Sequence, residues 1–438
     1  MKSRALSGAW LELAWNAILA FLGFALVSSL RHLHPVGYVY FITEDYWAEY
    51  ATFVSWAVAF CFLAWTLFKH KVARKPGIFL LGLGTFFVAM EEISWGQRIL
   101  GFHSPAFFTQ RNLQGETTLH NLIPLPSYSP VGIAIFLWSI LLPLVTRRSM
   151  RLRRWCSQLG IPVVPIRQWP FFLLAIYFFM YAPTFDRKEL AEAYLSIAIS
   201  ALSLDLALTM GRGGRPRGAI AAVATTGMIL TLGLFTAVLV QFYPWPQKLT
   251  KTLNLFAASL YPAAGMHRQA EMLFDYMNRN PQFLTPETHY YHGQFLMRVG
   301  RHVKAKEILG LALAEQEQLQ QRDPNDPAPL RNSGRILRLL GRSQESERAF
   351  LDAMDKDLAR LDRANDTATK SSAHWSLAQT HLSLGESEAA SQQFAMAHAL
   401  APDAKIRHRM GRLIKKWLRR SAVATSGRDG PPDTRASQ

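Results

Sequence analysis

Residues 77–100 read GIFLLGLGTFFVAMEEISWGQRIL. The run carries no charge until Glu91 and Glu92 stand side by side. A helix crossing a hydrocarbon core needs about 20 predominantly apolar residues at 1.5 Å each, and this run supplies them. Paired carboxylates at membrane depth are costly unless neutralised, so the same run marks a candidate site.

Six further runs of the same kind flank it, at 10–30, 50–68, 130–145, 169–185, 190–210 and 219–243. Beyond Pro246 the chemistry changes. Residues 1–245 hold 20 Lys and Arg with 11 Asp and Glu, whereas 246–438 hold 28 and 20, a charge density usual for a soluble domain. The expected organisation is a seven-helix transmembrane domain at 1–245, a helical domain at 246–420 and an unstructured tail at 421–438. The fold class is all-α.

The net charge of +17 does not point to nucleic acid. In the first half the basic residues sit in short loops: Lys2 and Arg4, then 69–75, 147–154 and 212–217. Across seven spans these four clusters fall on one face, and positive loops stay cytoplasmic. The amino terminus is then cytoplasmic and the carboxy-terminal domain lies outside, in the periplasm if the membrane is a bacterial inner membrane. Two cysteines, Cys61 and Cys156, offer neither a disulfide framework nor a cysteine metal site.

In the second half, Gly265, Gly300, Gly341 and Gly385 each close one helical pattern and open another. Five residues after them stand Ala270, Ala305, Ser346 and Ala390; nine after, Phe274, Leu309, Phe350 and Phe394; twelve after, Met277, Ala312, Ala353 and Ala397. Seven before stand Ala258, Gly293, Gly334 and Ala378. This pattern resembles the tetratricopeptide repeat, with Pro402 where that repeat ends its second helix. The resemblance implies an α-solenoid whose concave face binds a protein or peptide partner. The nominal period is about 34 residues, and the wider spacing of the later glycines places insertions at 322–329 and 361–370. Residues 405–420 read as a basic amphipathic helix closing the solenoid.

Polar residues in the membrane half collect toward one side. The run 77–100 supplies Glu91, Glu92, Ser94, Gln97 and Arg98; the following outer loop supplies His103, Arg111, Asn112, Gln114, Glu116, His120 and Asn121. The first outer loop adds Glu44, Asp45 and Glu49, and the sixth run opens with Glu189 and Glu192. Glu91, Ser94 and Arg98 would share one face of a continuous helix. Oxygen and imidazole donors suit Zn, Mn or Ca, so Glu44, Asp45, Glu49, Glu92, His103, His120, Glu189 and Glu192 are metal-ligand candidates. Glu91, Glu92 and His120 are the catalytic candidates, should a bound metal activate water there.

Glu44-Asp45-Tyr46 before Ala48-Glu49-Tyr50, with Gly82-Leu83-Gly84-Thr85 on the next helix and an echo at 119–128, resembles the alkaline ceramidases. That resemblance implies a metal-dependent lipid hydrolase. The sequence departs from it at Ala89, where a zinc histidine is expected, and it lacks the closing His-x-x-x-His helix. Two functions are thus in view: recruitment of an extracytoplasmic partner through the repeats, or hydrolysis of a lipid or lipid-linked substrate in the membrane.

Overall fold

The structure is a computed structural model. It describes residues 2–43, 47–69, 76–100, 102–111, 116–119, 122, 128–181, 187–209, 224–229, 231–233, 236 and 246–402, and the helical positions 406, 407, 410, 411 and 414. The expected tail at 421–438 and most of the expected helix at 405–420 lie outside these residues. Every element described is helical.

The elements of the first half are α1 (Lys2–Leu33), α2 (Pro35–Ile42), α3 (Trp47–Lys69), α4 (Pro76–Glu92), α5 (Gln97–Leu100) and α6 (Ala106–Arg111). They continue with α7 (Ser129–Phe136), which runs through a π-turn into α8 (Leu142–Arg148), then α9 (Met150–Leu159), α10 (Trp169–Met180), α11 (Arg187–Thr209) and α12 (within Ala224–Gly233). Four helices are long and apolar enough to cross a membrane: Trp10–Leu33, Trp47–Lys69, Ser129–Arg148 and Lys188–Thr209. α4, α10 and α12 are shorter apolar helices.

The chain divides into two compact units, one of residues 1–104 and 116–283, the other of 105–115 and 284–438. In the first unit α11 packs along α3, α3 along α4, and α10 along α11 and α7. Phe171, Phe172, Ala175, Ala191, Ala198 and Leu202 form the fully buried centre. Small residues at 191 and 198 let α11 approach its neighbours closely, the packing that membrane helices favour.

One correction concerns 77–100, which is not a single helix. α4 stops at Glu92, and Ser94 (φ 50°), Trp95 (φ 55°) and Gly96 (φ 87°) follow in the left-handed region. Two consecutive non-glycine residues there cost about 1–3 kcal/mol each and need support from their surroundings. The Trp95 ring provides some of it, packed edge-on against Phe87 at 5.7 Å between centroids.

The first unit also takes in the helices after Pro246: α13 (Pro246–Leu255), continuing through a π-turn into α14 (Tyr261–Ala263), and α15 (His267–Arg279). α13 and α15 pack on α2. The Tyr40 and Tyr276 hydroxyls lie 2.9 Å apart, and the Gln269 side-chain amide donates to the His32 carbonyl at 2.9 Å.

The second unit contains α16 (Pro286–Arg298), α17 (His302–Arg322), α18 (Pro327–Leu339), α19 (Ser343–Asp362), α20 (Thr367–Leu384) and α21 (Ser387–Ala399). Each packs on the next in chain order, and α18 also meets α20. Gly300, Gly341 and Gly385 turn these helices with φ of 78°, 80° and 89°, a conformation that favours glycine. A Cβ on Gly334 would lie 2.7 Å from the Phe350 ring, so only hydrogen fits there. Among the buried residues, Arg331 of α18 lies 3.5 Å from the Asp357 carboxylate of α19 and donates to the Ser376 hydroxyl of α20 at 2.6 Å. Burial pushes the Asp357 carboxyl up and the Arg331 guanidinium down, each toward its neutral form.

Candidate functional site

The site is built where α3 and α11 begin and α4 ends. Consecutive helical residues point about 100° apart, so Glu91 and Glu92 part company. Glu92 turns toward α3, where the Thr52 hydroxyl donates to Oε2 at 2.9 Å. It lies within electrostatic reach of Glu49, Glu189 and Glu192. Lys188 stands among these carboxylates, its Nζ 3.7 Å from Glu189 and 3.6 Å from Glu192. Tyr128, just before α7, completes the surround. Three segments distant in sequence thus bring four carboxylates and one lysine together at one end of the helices, and a fourth adds Tyr128.

Glu91 belongs to a second network. It accepts from the Trp95 indole N–H and from the Leu119 backbone N–H at 2.8 Å. Ser94 donates to Glu116 at 3.1 Å, and Gln97 Oε1 accepts from the Ser104 hydroxyl and the Thr117 N–H, both at 2.9 Å. These bonds tie Ser104 and residues 116–119 to the end of α4 and support the left-handed turn. Three polar candidates, Ser94, Gln97 and Glu116, therefore meet in this loop clamp. Glu91, Ser94 and Arg98 do not share a helix face, because the helix ends between them.

His103 is exposed. Glu44, Asp45, Asn112, Gln114, His120 and Asn121 lie outside the described residues, as do the side chains of Arg98 and Arg111. Among the described residues no group of three or more His, Cys, Asp or Glu side chains is placed to hold a metal ion.

A further ionic cluster escaped the sequence reading. Arg167, just ahead of α10, bonds Glu12 of α1 at 2.9 Å and also pairs with Asp205 of α11. Asn16 donates to the Arg167 carbonyl at 2.7 Å, and Gln168 to the Ala201 carbonyl at 2.9 Å. Asp205 stands 13 residues beyond Glu192 on α11, about 20 Å along the axis, so the two clusters mark opposite ends of the helices. The available signal was an acid inside an otherwise apolar run, at Glu12 and again at Asp205, which at such depth calls for a cationic partner.

Comparison of the chain with models of protein families, with characterised proteins and with solved structures gives no match.

Proposed function

We propose that this chain is a seven-span membrane protein that recruits an extracytoplasmic protein or peptide through a tetratricopeptide-like solenoid. The observation that carries the reading is the glycine-turned series α16 to α21. Each helix buries its apolar face on its chain neighbours, and small residues recur where helices close on each other. Such arrays present an extended surface for a partner.

Two contacts support an outside location for the repeats. α2 follows the outer end of the first span and packs on α13 and α15. Residues 105–115, in the loop assigned to the outer side, belong to the same compact unit as 284–438. With the amino terminus cytoplasmic, both are in keeping with repeats beyond the outer leaflet, the periplasm for a bacterial inner membrane. The carboxylate cluster at the start of α3 and α11 then faces the same side of the membrane.

Site-directed photocross-linking in cells tests the reading. A photoreactive residue at Arg335, on the first helix of its pair, is expected to yield a discrete protein adduct. The same residue at Gln318, on the exposed side of α17, is expected to yield none. Adducts from both positions alike, or from neither, would remove the recruitment reading.

A further inference from the structure

Between α1, α3, α11 and α12 lies a cavity of about 600 Å³. Leu26 and Val27 of α1, Ala51 of α3, Ala193 and Ile197 of α11 and Leu232 of α12 form its wall, so three of the four long apolar helices contribute. On α1 the lining runs from Leu19 to Leu30, about 16 Å along the axis. The lining is almost wholly apolar. Its tyrosine hydroxyls are already engaged, Tyr40 with Tyr276 at 2.9 Å and Tyr194 with the Ala20 carbonyl at 3.4 Å.

The contents follow from elementary energetics. An ordered water needs two to four polar partners, and this wall does not offer them. The cavity is half open, with Leu26 on its wall 62% exposed, and a wall this apolar favours an apolar occupant over water. Its volume falls within the range of small-molecule sites, and its shape is long. Where α1, α3 and α11 cross a bilayer, the molecule that supplies a long apolar chain at that depth is a lipid.

We infer that the cavity is a resident site for the hydrocarbon chain of a membrane lipid. The inference rests on the membrane-spanning reading above. Tyr40 and Trp47 line the outer end of the cavity, and such aromatic residues favour headgroup level, so the chain enters from the outer leaflet. The carboxylate cluster does not read the headgroup. On α3 the cavity face is Trp47, Ala51 and Ser55, spaced one turn apart, whereas Thr52 turns the other way to meet Glu92. The site therefore selects for chain and not for headgroup charge.

The test uses full-length protein in phosphatidylglycerol vesicles doped with a phospholipid bearing a diazirine midway along one acyl chain. After irradiation, adducts are mapped by mass spectrometry. Labelling is expected to concentrate on Val27, Ile197 and Leu232, well above Phe79 and Leu83 on the exposed face of α4. Ala193→Trp should fill the cavity and give a severalfold loss of those adducts with Phe79 labelling unchanged. Gly233→Phe, which grows into open space, should do the same from the opposite wall. Cavity residues labelled no more than Phe79, or adducts undiminished in both variants, would overturn the inference. A wild-type protein that alkaline carbonate strips from membranes without detergent would sink the membrane reading itself, and this inference with it.

Discussion

Thr52 and Glu92, forty residues apart, are joined by a 2.9 Å hydrogen bond from hydroxyl to carboxylate. The bond pins the end of α4 to the start of α3 and fixes which way Glu92 points. Bonds to a charged group contribute about 1.5–3 kcal/mol, and a half-buried carboxylate deprived of one loses at the upper end of that range. Thr52→Val should lower the thermal midpoint of the detergent-solubilised protein, while Thr52→Ser should retain it. Equal midpoints for Val and Ser would show that the hydroxyl does not hold Glu92.

Lys188 bridges Glu189 and Glu192 within the carboxylate cluster. Lys188→Gln should destabilise by about 1–3 kcal/mol, because like charges are left facing one another. Glu92→Gln in that background should recover part of the loss, since it removes a charge while its amide oxygen can still accept from Thr52. A double-mutant cycle by thermal unfolding reads the coupling, and a coupling of zero would mean that Glu92 and Lys188 act independently.

In the second unit, Gly334 meets the Phe350 ring without space for a Cβ. Gly334→Leu should overpack this contact and cost about 1–3 kcal/mol, and Phe350→Ala should rescue part of it by making room. Urea unfolding of a fragment beginning at Leu284 measures both. Simple additivity of the two losses would argue against the close contact.

His292 of α16 is buried, and burial, with the positive fields of Lys304 and His289, pulls its pKa down to about 4. In the unfolded chain the imidazole titrates near 6.5. Between these values the unfolded state binds more protons, so stability falls as pH falls from about 6.5 to about 4 and is full above that window. Asp357, pushed up by burial, works in the opposite sense, since its native form gains protons first. The comparison of wild type with His292→Phe isolates the histidine. Over that window the wild-type fragment should lose a few kcal/mol relative to the variant, and parallel pH profiles would refute the assignment.

Much of this was legible before any coordinates. The spacing of Gly300, Gly341 and Gly385 announced the turns, because a left-handed residue after a helix leaves a sequence mark. In the sequence, Glu49, Glu92, Glu189 and Glu192 group with Glu44, Asp45, His103 and His120, all assigned to one side of the membrane; among the described residues the four glutamates meet, whereas His103 is exposed. The break after Glu92 was not legible: no proline marks it, and the bonds of Ser94 to Glu116 and of the Leu119 N–H to Glu91 exist only once the loop has folded. Arg167 was missed for a related reason, since its partners Glu12 and Asp205 lie 155 and 38 residues away and neither forms a local pattern.

The proposed function requires cytoplasmic basic loops, with the repeats and the carboxylate cluster on the other face. The most direct measurement is a pair of alkaline phosphatase fusions in a bacterial host, one after Arg420 and one at Arg148. Phosphatase activity after Arg420 with none at Arg148 is the predicted result. Activity at Arg148 with none after Arg420 would invert the topology and contradict the proposal that the repeats meet an extracytoplasmic partner.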